Sequence, residues 1–257
     1  MTLGYKIYDT GNPDKDYATL FTSDDLEGNP EMIMYRKYAK GLLMHRQCGY
    51  IINIRAGGTK DFADDFLCKE PDGTALPTGL SLTFDDSTPE KTFANRDPRM
   101  AQTFLKPGDQ ASILNTNMGS KSFPRLGDMG SWPSATGYHL IKYYILEQDK
   151  KGYGNETHDA PIIRYAEVLL SLAEAKAELG TLEQTDLDKT INVLRDRVDM
   201  PHMTLNPPMD PKYADLGISS DLVEIRRERR VELSFENLRY QDLMRWAQGD
   251  KLKERVL

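Results

Sequence analysis

The chain predicts a mainly α protein in which packed helix pairs carry a large loop-rich region with a few short strands. Three observations point there. A long helix-periodic block starts near residue 160, a second block of interleaved Arg and Glu lies toward the C-terminus, and Gly, Pro, Asn, Asp and Ser recur every few residues through the first 158 positions. The division expected is therefore a loop-rich part over residues 1–158, the candidate ligand-facing part, and a helical scaffold over 159–257.

The first helical block reads APIIRYAEVLLSLAEAKAELG from Ala160. Asp159 as cap, Pro161 in the first turn and Gly180 at the exit predict a helix over roughly 160–179. Ile162, Tyr165, Leu169 and Leu172 follow one stripe, and Ala166, Leu170, Ala173 and Ala177 follow another of mostly small side chains. A helix apolar on two sides is expected to be sandwiched, and the small stripe lets a neighbour approach closely, as in tetratricopeptide-type helix pairs. After a short turn, Asp186 as cap and Leu187, Ile191, Leu194 and Val198 at spacings of four, three and four predict the next helix, stopping before Pro201.

The charged block opens with Asp221 and Glu224 in capping-box spacing, and Leu222, Ile225, Leu233 and Phe235 are its apolar positions. Glu224 can pair with Arg227 and Arg229 with Glu232 along one face. Two structural readings stand side by side: a solvated charged face, or planar Arg forks that reach carboxylates on a neighbouring helix. Trp246 closes the block and is expected in the core. In the loop-rich half, regular structure is expected over residues 31–38 after Asn29-Pro30 and over 101–105 before Pro107-Gly108. Pro98 stiffens the turn in NRDPR, residues 95–99, so that Arg96 and Arg99 flank Asp97. That cluster reads as a structural clamp in preference to an anion or sugar site.

Taken in order, NPEMIMYR (29–36), GGTK (57–60) with Asp72-Gly73, NRDPR, TGYHLIKYY (136–144), the block from Ala160, INVLRDRVDMP (191–201) and IRRERRVELSFENLRYQDLMRW (225–246) resemble the SusD/RagB family. Asn237 replaces the family's usual Gly, and Val198-Asp199 replace an Ala-Gly pair. Asn tolerates the left-handed backbone, so a tight break between the last helices survives. The resemblance implies a SusD-like, TPR-like fold and non-catalytic binding of an oligosaccharide or polysaccharide at the bacterial cell surface. It further implies delivery to a SusC-like TonB-dependent transporter and a place on the outer membrane through a lipid anchor. Family members are longer and carry their anchor and early helix pairs ahead of the region matched here, so the chain is expected to correspond to their C-terminal part.

Composition narrows the alternatives. Forty acidic against 33 basic residues give a net charge of −7, which excludes a nucleic-acid partner. No apolar run reaches the length of a membrane span, and MTLGYKIYDT lacks the pattern of a secretory signal. Cys48 and Cys68 match no zinc or redox spacing and read as buried thiols, with one disulfide as the alternative. His45, His139, His158 and His202 are scattered without an HExxH pair, so neither a metal nor another cofactor is expected. GGTK is not a phosphate loop, and GSWPSATG lacks the G-x-S-x-G elbow. Sugar capture needs flat aromatics for CH faces and amide, guanidinium or carboxylate partners for hydroxyls, presented on loops. The candidates are Trp132, then Tyr50, Arg46, Gln47 and His45. The runner-up function is a helix-pair protein-interaction module without its own ligand site, and a glycan-active hydrolase ranks behind both.

Overall fold

Among the described residues up to 160, the elements are short and are joined by turns and extended segments. The computed structural model describes residues 4–53, 57–107, 136–152 and 154–253. In chain order the helices are α1 Asp16–Thr22, α2 Gln47–Asn53, α3 Lys60–Ala63, α4 Pro89–Thr92, α5 Arg99–Thr103, α6 Leu146–Asp149, α7 Tyr165–Glu178, α8 Gln184–Lys189, α9 Ile191–Asp196, α10 Ser220–Glu232 and α11 Arg239–Arg245. Among the described residues there are three two-stranded antiparallel ladders: β1 Met32–Arg36 with β6 Ala160–Arg164 and β2 Gly57–Gly58 with β5 Tyr138–His139 join distant segments, and β3 Cys68–Lys69 with β4 Ala75–Leu76 is a local pair. The mainly helical fold class stands, with strand structure confined to these small sheets.

Residues 160–164 correct the expected helix. They form β6, with Met32 opposite Arg164 and Arg36 opposite Ala160, and α7 starts only at Tyr165. Asp159 is not a cap, because its carboxylate accepts from the amides of Leu26 (3.0 Å) and Tyr38 (2.9 Å). Pro161 fits a two-stranded ladder, where one side of each strand needs no partner. At the other end the expectation holds: Gly180 has φ +67°, and the amide of Thr181 reaches back to the Lys176 carbonyl at 3.0 Å.

The small stripe of α7 is buried, with Ala166, Leu170 and Ala173 packed against Leu187, Ile191, Leu194 and Ile225. The opposite side is not sandwiched: Val168 and Leu172 are 46% and 47% exposed. Between α8 and α9 the expected single helix breaks at Thr190, and Glu183, not Asp186, is the cap. Asp186 instead occupies the third helical position and closes a capping box back to the Glu183 amide. In α10 the capping residue is Ser219, whose hydroxyl accepts from the Leu222 amide, while Asp221 accepts from the amide of Asn206.

The charge of α10 is buried. Glu224 meets Arg227 at 2.9 Å as spaced in the sequence, and also Arg195 at 2.7 Å. The expected Arg229–Glu232 pair does not form. Arg229 turns to Asp242 on α11 (2.9 Å), and Glu232 collects three guanidinium groups, Arg197 at 2.6 Å, Arg99 at 2.9 Å and Arg164 at 3.0 Å. Arg164 also holds Glu31 at 2.5 Å and Glu236 at 2.7 Å. Forks reaching neighbouring elements, not a solvated face, are the outcome. NRDPR is a clamp: Arg96 donates to the carbonyls of Ala63, Phe66 and Thr92, and Arg99 joins Asp97 to Glu228 and Glu232. The tight exits survive the substitutions noted above, since Asp199 has φ +52° and Asn237 φ +69°. Gly58 is required for space, because a Cβ there would lie 2.3 Å from the buried Phe104 ring.

Removing one partner of a buried ion cluster leaves the others uncompensated. Glu232→Ala is expected to cost about 3–5 kcal/mol of unfolding free energy, read from urea denaturation; a loss below about 1 kcal/mol would mean that the cluster is not mutually dependent. Burial alone raises the carboxyl groups of Glu232 and Asp65. For Glu232 the opposing guanidinium groups of Arg197, Arg164 and Arg99 outweigh it, and for Asp65 those of Arg230 and Arg227 with Lys212, so both lie well below the usual carboxylate range. A carboxyl depressed in the folded state stabilises fully above its unfolded pKa of about 4 and loses that contribution as pH falls toward the folded value. Buried His139 and His158, whose imidazoles burial holds down to about 4, oppose folding as pH falls below the unfolded value of about 6.5, so thermal melts should begin to decline between about pH 6.5 and 5 and drop more steeply below about pH 4 as the carboxylates add their loss.

Candidate functional site

Four of the five predicted ligand residues, His45, Arg46, Gln47 and Tyr50, lie just before and within the first turn of α2. His45 forms an isolated antiparallel bridge with Glu156, amide to carbonyl at 3.0 and 3.2 Å. The Glu156 carboxylate then accepts from the amides of Cys48 (2.8 Å) and Gly49 (3.2 Å), fastening the first turn of the helix. Cys48 is itself held, since its sulfur accepts from the Ile145 amide at 3.3 Å and packs with Ile51, Leu105, Leu140 and Tyr144. This local anchoring explains why a short helix stands at a surface position: its inner side joins a core cluster and its first turn is satisfied by a side chain from 108 residues away.

On the outer side, Gln47 is exposed, Tyr50 is 38% exposed, and the Arg46 guanidinium lies 3.9 Å from the centroid of the Tyr50 ring. His45 faces inward. Its ring lies edge-on between Tyr38 and His158, with centroids 4.5 and 4.2 Å apart, and its Nε2 donates to the His158 carbonyl at 2.9 Å. Trp132 lies outside the described residues. Glu156 and His158, which support this corner, were not singled out by sequence reasoning; the only signal for them is the short spacing of Glu156, His158 and Asp159, because the contact to His45 is long-range.

A second concavity of about 600 Å³ opens beside α10 and α11, with Gly58, Phe62, Phe235, Asn237, Leu238 and Tyr240 in its wall. Phe235 holds φ +59° and meets Phe62 and Phe104 edge-on. The carboxylate in that wall, Asp242, is engaged by Arg229 and Arg245. Nearby, Trp246 departs from its expected core position. It is half-buried, with the Arg226 and Arg245 guanidinium groups each 4.7 Å from its ring and its indole N–H donating to Glu174. A guanidinium group is attracted to the electron-rich face of an indole, so arginines can cover this ring where a core position would have used apolar neighbours.

The family model described as the SusD family matches residues 28–255. The chain belongs to the SusD family. The chain of this SusD-family member is 31% identical over 121 residues to SusD-like protein P2 of Formosa agariphila, a stretch that is 44% of this chain and 22% of that protein. A SusD-like carbohydrate binding protein from Bacteroides fragilis superposes with a TM-score of 0.65 at 24% identity, over 92% of this chain and 45% of that one. A second SusD-like protein from the same species gives a TM-score of 0.64 at 25% identity, over 97% and 49%. The chain thus spans less than half the length of these solved relatives. No helix among the described residues is long and apolar enough to cross a membrane.

Both cysteines are buried free thiols, and burial pushes the Cys48 thiol far above its ordinary value. Native protein is expected to react with a disulfide reagent at pH 8 far more slowly than denatured protein, which should titrate two thiols per chain. Rapid native labelling would contradict this packing.

Proposed function

We propose that this protein binds an oligosaccharide or polysaccharide at the bacterial cell surface without transforming it and passes it to a SusC-like TonB-dependent transporter. Membership of the SusD family carries the reading, since a similar solved structure is described as a carbohydrate binding protein. The chemistry of the frame agrees with it. Buried acids such as Glu232, Glu228, Asp97 and Asp65 are each paired with arginine, and an acid or base for glycosidic cleavage needs a carboxyl free to exchange a proton with substrate. The loop-rich part of residues 1–158 is the ligand-facing part and 159–257 its scaffold. Tyr50, Arg46 and Gln47 provide a ring, a guanidinium and an amide on one exposed ledge, with His45 supporting them from beneath, and Trp132 provides a further ring for stacking. In this reading the protein sits on the outer surface of the outer membrane through a lipid anchor.

The exposed Val168 and Leu172 on α7 favour a second reading, a helix-pair module that makes protein contacts and has no ligand site of its own. Calorimetric titration over a glycan panel separates the two. Under the first, a glycan binds, Tyr50→Ala and Trp132→Ala each weaken it by roughly tenfold, and no reducing ends accumulate. Association with the transporter in the absence of any sugar binding would support the second, and released reducing ends would refute both.

A further inference from the structure

Although 113 residues separate His45 from His158, the bridge between His45 and Glu156 brings three metal-type ligands together. Ligand atoms of His45, Glu156 and His158 all lie within 4.8 Å of one another. Hydrogen bonding decides where the lone pairs point. The His158 carbonyl can only accept, so His45 carries its proton on Nε2. The Gln47 amide donates to Nδ1 at 3.2 Å, consistent with a lone pair on that nitrogen. Yet the same Nδ1 stands 3.3 Å from Glu156 Oε2, so while the ring is neutral two acceptors face each other, a contact that either a second proton on the imidazole or a bound cation relieves. Such a contact is unfavourable unless positive charge lies between them.

His158 completes the group. It is 2% exposed, and its Nδ1 has no hydrogen-bond partner. Neutral imidazole and ionised carboxylate are the states in which these side chains ligate.

We propose that His45 Nδ1, a Glu156 carboxylate oxygen and His158 Nδ1 form a binding site for a divalent transition-metal cation of the zinc class. Two imidazoles and one carboxylate suit that cation, and tetrahedral ligands at about 2.0–2.2 Å from it lie roughly 3.4 Å apart. The His45–Glu156 separation already has that value, and only His158 must close in. A bound ion removes the repulsion between the two acceptors and gives the orphaned Nδ1 a partner. It also ties residues 45 and 156–158 together beneath α2, securing the ledge that carries Arg46, Gln47 and Tyr50. Its role is structural, and no reaction is assigned to it.

Zn2+ titration by calorimetry at pH 7.5, with Co2+ absorption as a geometric readout, tests the site. One equivalent should bind, Co2+ should show the visible bands of a tetrahedral ion, and Zn2+ should raise the melting temperature. His158→Ala should weaken binding by at least about 100-fold and abolish the thermal shift. His202→Ala, which removes an exposed histidine paired with Asp196, should change neither. If His158→Ala alters the circular dichroism spectrum, Glu156→Gln makes the same comparison while keeping an acceptor for the Cys48 amide. Absence of saturable Zn2+ binding below about 0.1 mM, binding unchanged by both site variants, or binding lost with His202→Ala would overturn the proposal. None of these readouts uses a sugar, so failure here leaves the glycan reading untouched.

Discussion

One buried carboxylate, that of Glu232, sets the terms on which the rest of the molecule packs. Three guanidinium groups converge on it from the first residue of α5, the end of β6 and the residue just after α9, and each continues to another acid. Arg99 continues to Asp97 and Glu228, Arg164 to Glu31 and Glu236, and Arg197 to Glu31. Desolvation offsets much of the Coulomb attraction in such a cluster, so its contribution is less to net stability than to selecting a single arrangement. Any packing that leaves one member behind strands a buried charge. These ion pairs hold the loop-rich segments against the helices alongside two mixed apolar clusters, in which Val198 and Met200 pack with Tyr17, Leu20 and Phe21, and Val231 packs with Phe62, Phe66 and Phe104.

This constraint bears on function by subtraction. Carboxylates locked to arginine cannot exchange protons with a substrate, so the acids of the frame are unsuited to general acid or base chemistry. In the proposed reading, recognition falls to side chains that the frame holds from behind. Glu156 repeats the theme on a smaller scale: it fastens α2 by accepting from its first amides and brings His45 and His158 together, while Arg46, Gln47 and Tyr50 face outward. Rigid support under a loop lets a ligand meet preformed partners, which lowers the ordering cost of binding.

Much of the scaffold was legible because its signals are local. The small stripe of α7, the glycine exit at Gly180, the left-handed Asn237 and the stiff Arg-Asp-Pro-Arg turn are each written in a few neighbouring residues, and each is found as read, although the clamp's partners Ala63, Phe66 and Glu232 come from distant segments. Errors fell where a distant partner outbid the local preference. Residues 160–164 look helical alone but pair with β1, Asp159 and Asp221 serve backbone amides elsewhere, and Arg229 leaves Glu232 for Asp242. Trp246 looks like core by its helical position, yet its neighbours are guanidinium groups. The ledge residues were visible as a cluster because they adjoin in sequence. Glu156 and His158 were not, since no local pattern links them to residue 45.

Amino-acid order by itself determined the family, the helical character of the C-terminal part, the loop-rich character of the rest and the positions of its tightest turns. These follow from motif order, periodicity and backbone preference, which act over a few residues. Tertiary structure alone decided which arginine meets which acid, where α7 begins, and that His45 turns inward to Glu156 and His158. Those outcomes depend on satisfying buried charge and hydrogen-bonding groups across the whole chain at once, and short-range preference carries no information about partners a hundred residues away.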